Sequence, residues 1–79
     1  MPTIFIDHGF RFFFYSNEGH EPIHVHVERG DAIGKWWILP TTSMASAVGM
    51  SPKEQKAINE IIKRRRPEII DAWNKHFGR

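Results

Sequence analysis

The sequence predicts an α+β fold: a three- to four-stranded antiparallel meander with a C-terminal helix or kinked helix pair packed on one face. Three observations predict it. Residues 3–39 break into short runs rich in β-branched and aromatic side chains, separated by turn formers. "SPKE" at 51–54 carries the marks of a helix start. Beyond it, Ile58, Ile61 and Ile62 recur at the spacing that lines one face of a helix.

The elements follow in order. "TIFI" (3–6) is a short strand closed by the turn "DHG". "FRFFFYS" (10–16) is the strongest strand, with Phe10, Phe12 and Phe14 on a core face and Arg11, Phe13 and Tyr15 on the other. "NEGHEP" (17–22) is dense in turn formers. In "IHVHVER" (23–29), Ile23, Val25 and Val27 share one face, while His24, His26 and Glu28 share the other. "GD" turns the chain into "AIGKWWIL" (32–39), which Pro40 closes. "PTTSMASAVGM" (40–50) reads as a loop with room for a further short strand near 43–48. In the helical part, Ser51 caps, Pro52 suits the first helical position and Glu54 completes a capping box. Pro67 then kinks or breaks the helix, because it has no N–H to donate and clashes with the preceding turn. The apolar stripe resumes at Ile69, Ile70, Trp73 and Phe77 until Gly78.

A chain of 79 residues is expected to form a single domain, with a β-sheet part over 1–50 and a helical part over 51–78. Six Phe, three Trp and one Tyr must supply much of so small a core. No cysteine is present, which excludes disulfides, thiolate catalysis and thiolate zinc sites. With no signal peptide or membrane span legible, that composition points to the cytoplasm. Charge is unevenly spread. Residues 1–50 hold three basic against five acidic residues, net −2, and residues 51–79 hold eight against four, net +4. The basic end suits nucleic acid or an acidic partner.

"GHEPIHVHVERG" (19–30) places His20, His24 and His26 within seven positions. Histidines at i and i+2 of a strand project to one side, so His24 and His26 can share a divalent metal such as zinc. His20 would be a third ligand, and Glu18, Glu21 or Glu28 an oxygen donor. A reading without cofactor is metal-independent RNA cleavage. Arg11 or Lys35 would neutralise phosphate, His24 and His26 would move protons, and Tyr15 and other aromatics would offer a stacking surface. The plain structural alternative is stronger than either: His-Val-His-Val is also how a half-buried strand reads when its solvent positions happen to be histidine.

Lys63, Arg64 and Arg65, within "KRRRPE" (63–68), are candidate nucleic-acid contacts together with Lys35. They are also cations at a helix end, where they oppose the negative pole of the dipole. Trp36 and Trp37 must point to opposite faces of a strand, one of them into the core. The stripe Trp73–Phe77 reads as core packing.

At "RFFFYSNEGHEPIHVHVERGD", "MSPKEQKAINEII" and "AWNKHF", the chain resembles a family of small bacterial proteins described as domain of unknown function 4160, over essentially its whole length. It departs from that pattern at Ile23, where a second proline is common, and at Pro67, within a helix that is continuous in relatives. Members are often encoded beside another small protein, as in toxin–antitoxin pairs. The resemblance therefore implies one component of such a two-gene module, or a transcriptional regulator, with a small protein partner. It carries over no catalytic residue, so the roles given to Arg11, Tyr15, His24 and His26 rest on the residues alone. Oligomeric state is left open.

Overall fold

The computed structural model describes residues 3–15 and 19–78. Five strands form one antiparallel sheet in sequential order: β1 (Thr3–Asp7), β2 (Phe10–Phe13), β3 (His24–Arg29), β4 (Ala32–Trp37) and β5 (Ser43–Val48). Two helices follow, α1 (Pro52–Arg64) and α2 (Arg66–Phe77). The meander is as expected, with one strand more than the three or four predicted. The extra one is β5. Its residues, "SMASAV", are small and weakly β-forming, so its signal was faint beside those of the aromatic strands. The second strand ends at Phe13, short of the expected Ser16, which lies outside the described residues.

Register sets what each face carries. Phe5 pairs with Phe12, Phe12 with Val27, and Val27 with Gly34, so these positions share the face that the helices cover. That face is buried: Phe12, Val25 and Val27 are inaccessible, and Trp36 is nearly so. Ile58, Ile61 and Ile62 of α1 and Ile69 and Trp73 of α2 complete a single cluster with them. Trp36 also donates from Nε1 to Asn59 Oδ1 at 3.1 Å, so the one polar atom of its indole is satisfied on α1. Gly34 makes room for this indole. A Cβ there would lie 2.5 Å from the Trp36 ring.

The helix start is as read from the sequence. The Glu54 N–H donates to Ser51 Oγ at 3.1 Å and the Ser51 N–H to Glu54 Oε1 at 2.9 Å, with Pro52 opening the helix. The Ser51 backbone N–H first, and then the Ser51 side chain, hold the Glu54 carboxyl below the usual carboxylate range. At Pro67 the outcome is a break rather than a kink. Arg65 leaves helical geometry at φ −107°, ψ 19°, and α2 begins at Arg66 with Pro67 in its first turn, where an N–H is not needed. Gly78 ends α2 in the left-handed conformation, φ 73°. Neither helix is long and apolar enough to cross a membrane.

Candidate functional site

The helix-free face of the sheet carries most of the residues singled out from the sequence. Arg11 pairs with Glu28 and Phe13 with His26 across β2 and β3, and His26 pairs with Lys35 and His24 with Trp37 across β3 and β4. Alternation along β2, β3 and β4 thus gathers Arg11, Phe13, His24, His26, Glu28, Lys35 and Trp37 on one side. Tyr15 follows β2 and joins them, its ring centroid 4.4 Å from that of His26.

The expected solvent exposure of the histidines is corrected. His24 is inaccessible and His26 is 8% exposed. The reason is the size of their neighbours. His26 lies between Phe13 (5.7 Å, stacked) and Tyr15, with His24 edge-on at 5.1 Å. His24 in turn meets Trp37 at 5.5 Å and, where α2 passes the end of the sheet, Trp73 at 5.1 Å. Alternation alone put these rings on a wet face. Large aromatic side chains on both flanking strands and on α2 close over them. His24 Nδ1 lies 2.9 Å from the carbonyl oxygen of Pro22. Since a carbonyl only accepts, Nδ1 carries the proton and donates.

The charges beside the rings are matched. Arg11 donates to Glu28 at 2.7 Å and to Thr3 Oγ1 at 2.7 Å, and its guanidinium lies 4.4 Å from the Phe13 ring centre. Lys35 donates to Glu21 at 2.9 Å and sits 4.4 Å from the Trp37 ring centre. Among the described residues, no buried side-chain nitrogen or oxygen lacks a hydrogen-bond partner. No group of three or more His, Asp or Glu that could hold a metal ion is assembled among them either. The set His20, His24 and His26 is therefore not brought together as metal ligands; His20 is exposed in the β2–β3 connection. Glu18, a possible oxygen donor, lies outside the described residues.

The arginines of the basic run are engaged within the fold. Arg64 and Arg65 each donate to Asp7 Oδ2 at 3.0 Å, and Arg65 also grips Glu68 through two bonds of 2.9 and 3.0 Å. Arg65 lies flat over Phe5, 3.6 Å from its ring centre. Arg66 donates to the carbonyl of Ile38 at 2.9 Å. Lys63, the first of the run, is exposed on α1. Lys35 stands on the opposite side of the sheet from the helices, so these candidate contacts form no common surface. His8 first, then Arg65 and the charge of Arg64, hold the Asp7 carboxyl below its ordinary value. Glu68 and Asp7 hold the Arg65 guanidinium more firmly protonated.

Clefts open elsewhere. One of about 350 Å³ runs between the start of β5 and α1, with Trp36, Met44, Pro52, Gln55, Lys56 and Asn59 in its lining. Another, of about 360 Å³, lies beside Phe10, Arg29, Lys53 and Glu54. The sequence drew attention to neither. Their residues are not reactive types in a motif, and the one available signal was an uncharged, proline-free run at 43–48.

The family model described as Domain of unknown function (DUF4160) matches residues 9–74. Neither the curated proteins nor the solved structures compared with the chain gave a match.

Proposed function

The chain belongs to the family described as Domain of unknown function (DUF4160), and from that premise we propose that it works by binding a protein partner rather than by catalysis. The partner is the second component of a two-gene, toxin–antitoxin-like module in the cytoplasm. One observation carries the reading: the His24–His26 pair is closed inside an aromatic cluster, with His24 inaccessible and its Nδ1 on the Pro22 carbonyl. A general base must reach the proton it takes, and a phosphate must reach the cation that neutralises it. His24 has no open path to a substrate, and Arg11 and Lys35 already hold carboxylates.

The RNase reading therefore lacks an accessible acid–base pair. RNA stacking fares no better, since the Phe13 ring at the centre of the face is itself inaccessible. DNA binding through the basic run loses Arg64, Arg65 and Arg66 to contacts within the fold. A zinc site lacks its third ligand among the described residues. Backbone and side chain are open to a partner at the β5 margin, where every residue but Ala47 is exposed.

The test has two arms. Purified chain incubated with total RNA should leave it intact, and the product of the adjacent reading frame should co-elute with the chain in size-exclusion chromatography. RNA cleavage that disappears in the His26→Ala variant, with its circular dichroism unchanged, would overturn the reading in favour of an enzyme.

A further inference from the structure

The binding reading does not say where a partner docks or what it looks like. Building on it, we propose that the β5 edge and the groove beside α1 take up an extended acidic segment of a partner protein as a sixth strand.

The backbone supplies the first half of the argument. β5 is the last strand of the sheet, so its outer N–H and C=O groups face away from any described strand. Such an edge is a template for pairing, and folded proteins usually blunt it with a charge, a proline, a bulge or a covering element. Ser43–Val48 has neither a charged residue nor a proline, and Met44 and Val48 are 45% and 66% exposed. Its one irregularity is a bulge, which here serves the groove. Lys35 pairs with Ser46 but Trp36 pairs with Met44, so Ala45 is an extra residue on β5. A bulge re-aims the residues beyond it. Strict alternation from Ser46 would send Met44 to the helix-free face, whereas the bulge turns it toward Trp36 and the groove.

The groove supplies the second half. Alternate side chains of an added strand point to the helix side of the sheet, where this cleft of about 350 Å³ lies alongside. Met44, beside the buried Trp36, gives it an apolar floor, and Gln55 and Asn59 in its wall are held by bonds to the Met50 carbonyl and the Trp36 indole. Lys56 is the one charged side chain lining it. A strand with an apolar residue for the floor and a neighbouring Asp or Glu for Lys56 matches both features. A second copy of this chain matches less well. Its own β5 brings no carboxylate, and a two-fold pairing of the edges would bring two Lys56 side chains toward one another. A nucleic acid offers no amide ladder to the edge.

The experiment pans phage-displayed random linear peptides of about eight residues, a strand length with margin, against the full chain. The enriched peptide is then titrated by calorimetry and followed by amide hydrogen exchange. The expected result is an enriched sequence with β-forming residues and at least one Asp or Glu. Its binding should weaken about tenfold or more in Lys56→Glu, and it should slow exchange at the amides of Ser43–Val48 but not at those of β1. Failure to enrich an acidic sequence, binding indifferent to Lys56→Glu, or protection confined to other strands would overturn the proposal. So would sedimentation showing a dimer whose formation alone protects β5. An adjacent-frame protein that binds while β5 amides exchange as before would overturn this site and leave the binding function standing.

Discussion

β1 and β5 are both outer strands of one sheet, and each turns a row of backbone groups away from its neighbour. β1 is fastened. Phe5 packs in the core, 4.7 Å from Phe12 ring to ring, and Arg65 lies over its other face. Asp7, at the strand's end, receives Arg64 and Arg65 from the helix junction. β5 has no comparable fastening. None of its residues is buried, none is charged, and only Ala47 packs against the core cluster, while Ser43 and Met44 line an open groove. One edge is tied to the helices by ions and aromatics, and the other is held by backbone pairing to β4 and the small Ala47 side chain. Edges left in the second state are where a small fold can add a strand without rebuilding its core.

The largest effect that sharpens this contrast is expected at Phe5. Its ring ties β1 to the core at 9% exposure, so Phe5→Ala should cost about 3 kcal/mol or more by lost burial and the cavity left behind. Urea denaturation should show the midpoint falling while the slope is kept. A loss under about 1 kcal/mol would mean that β1 is no better anchored than β5, and the comparison would fail.

Next comes acid. Asp7 titrates below its ordinary range in the folded protein, chiefly through the hydrogen bond with His8 and then through Arg65. The unfolded chain therefore takes up its proton at higher pH than the folded one. The stabilisation is present in full above the unfolded value, near 4 for aspartate, and is lost as pH falls through the depressed folded value. Folding free energy in Asp7→Asn should accordingly depend less steeply on pH than in the parent below about pH 5. Glu54, also depressed by its capping bonds, keeps its own contribution in both proteins and so cancels in the difference. The effect is smaller than that of Phe5, because Arg64 is largely exposed and its ion pair is screened. Parallel pH curves would remove Asp7 from the fastening.

The same contrast explains what the sequence could and could not disclose. Strands built from aromatic and β-branched residues announced themselves, and the Ser51–Glu54 box announced α1, because these signals are local. That Pro67 interrupts the helix was legible as well, since missing an N–H is a property of the residue itself, but the choice between a kink and a break was not. The state of His24 and His26 was not. Alternation gives the side of the sheet, but burial depends on how far Tyr15, Trp37 and Trp73 reach over that side, and Trp73 comes from 49 positions further along the chain. The contacts of the basic run were hidden for a related reason. A cluster of arginines reads as a phosphate contact until the fold delivers Asp7 and the Ile38 carbonyl to it. β5 was faint because small residues on an edge are chosen by neither core nor turn.

The smallest stability effect is expected on β5, and its smallness is informative. Val48 is two-thirds exposed and faces away from the helices, opposite Ile33. Val48→Thr keeps the β-branched shape and exchanges a methyl for a hydroxyl that water can solvate. Its cost should stay within about 0.5 kcal/mol, the range of ordinary surface substitutions. The same change in a fastened strand, Val27→Thr in β3, places an uncompensated hydroxyl at an inaccessible position and should cost about 1–3 kcal/mol. Parallel denaturation of the two variants sets the margin of the sheet against its centre with the chemistry held constant. If Val48→Thr proved as costly as Val27→Thr, β5 would be packed against something other than solvent, and its edge would be unavailable to an added strand.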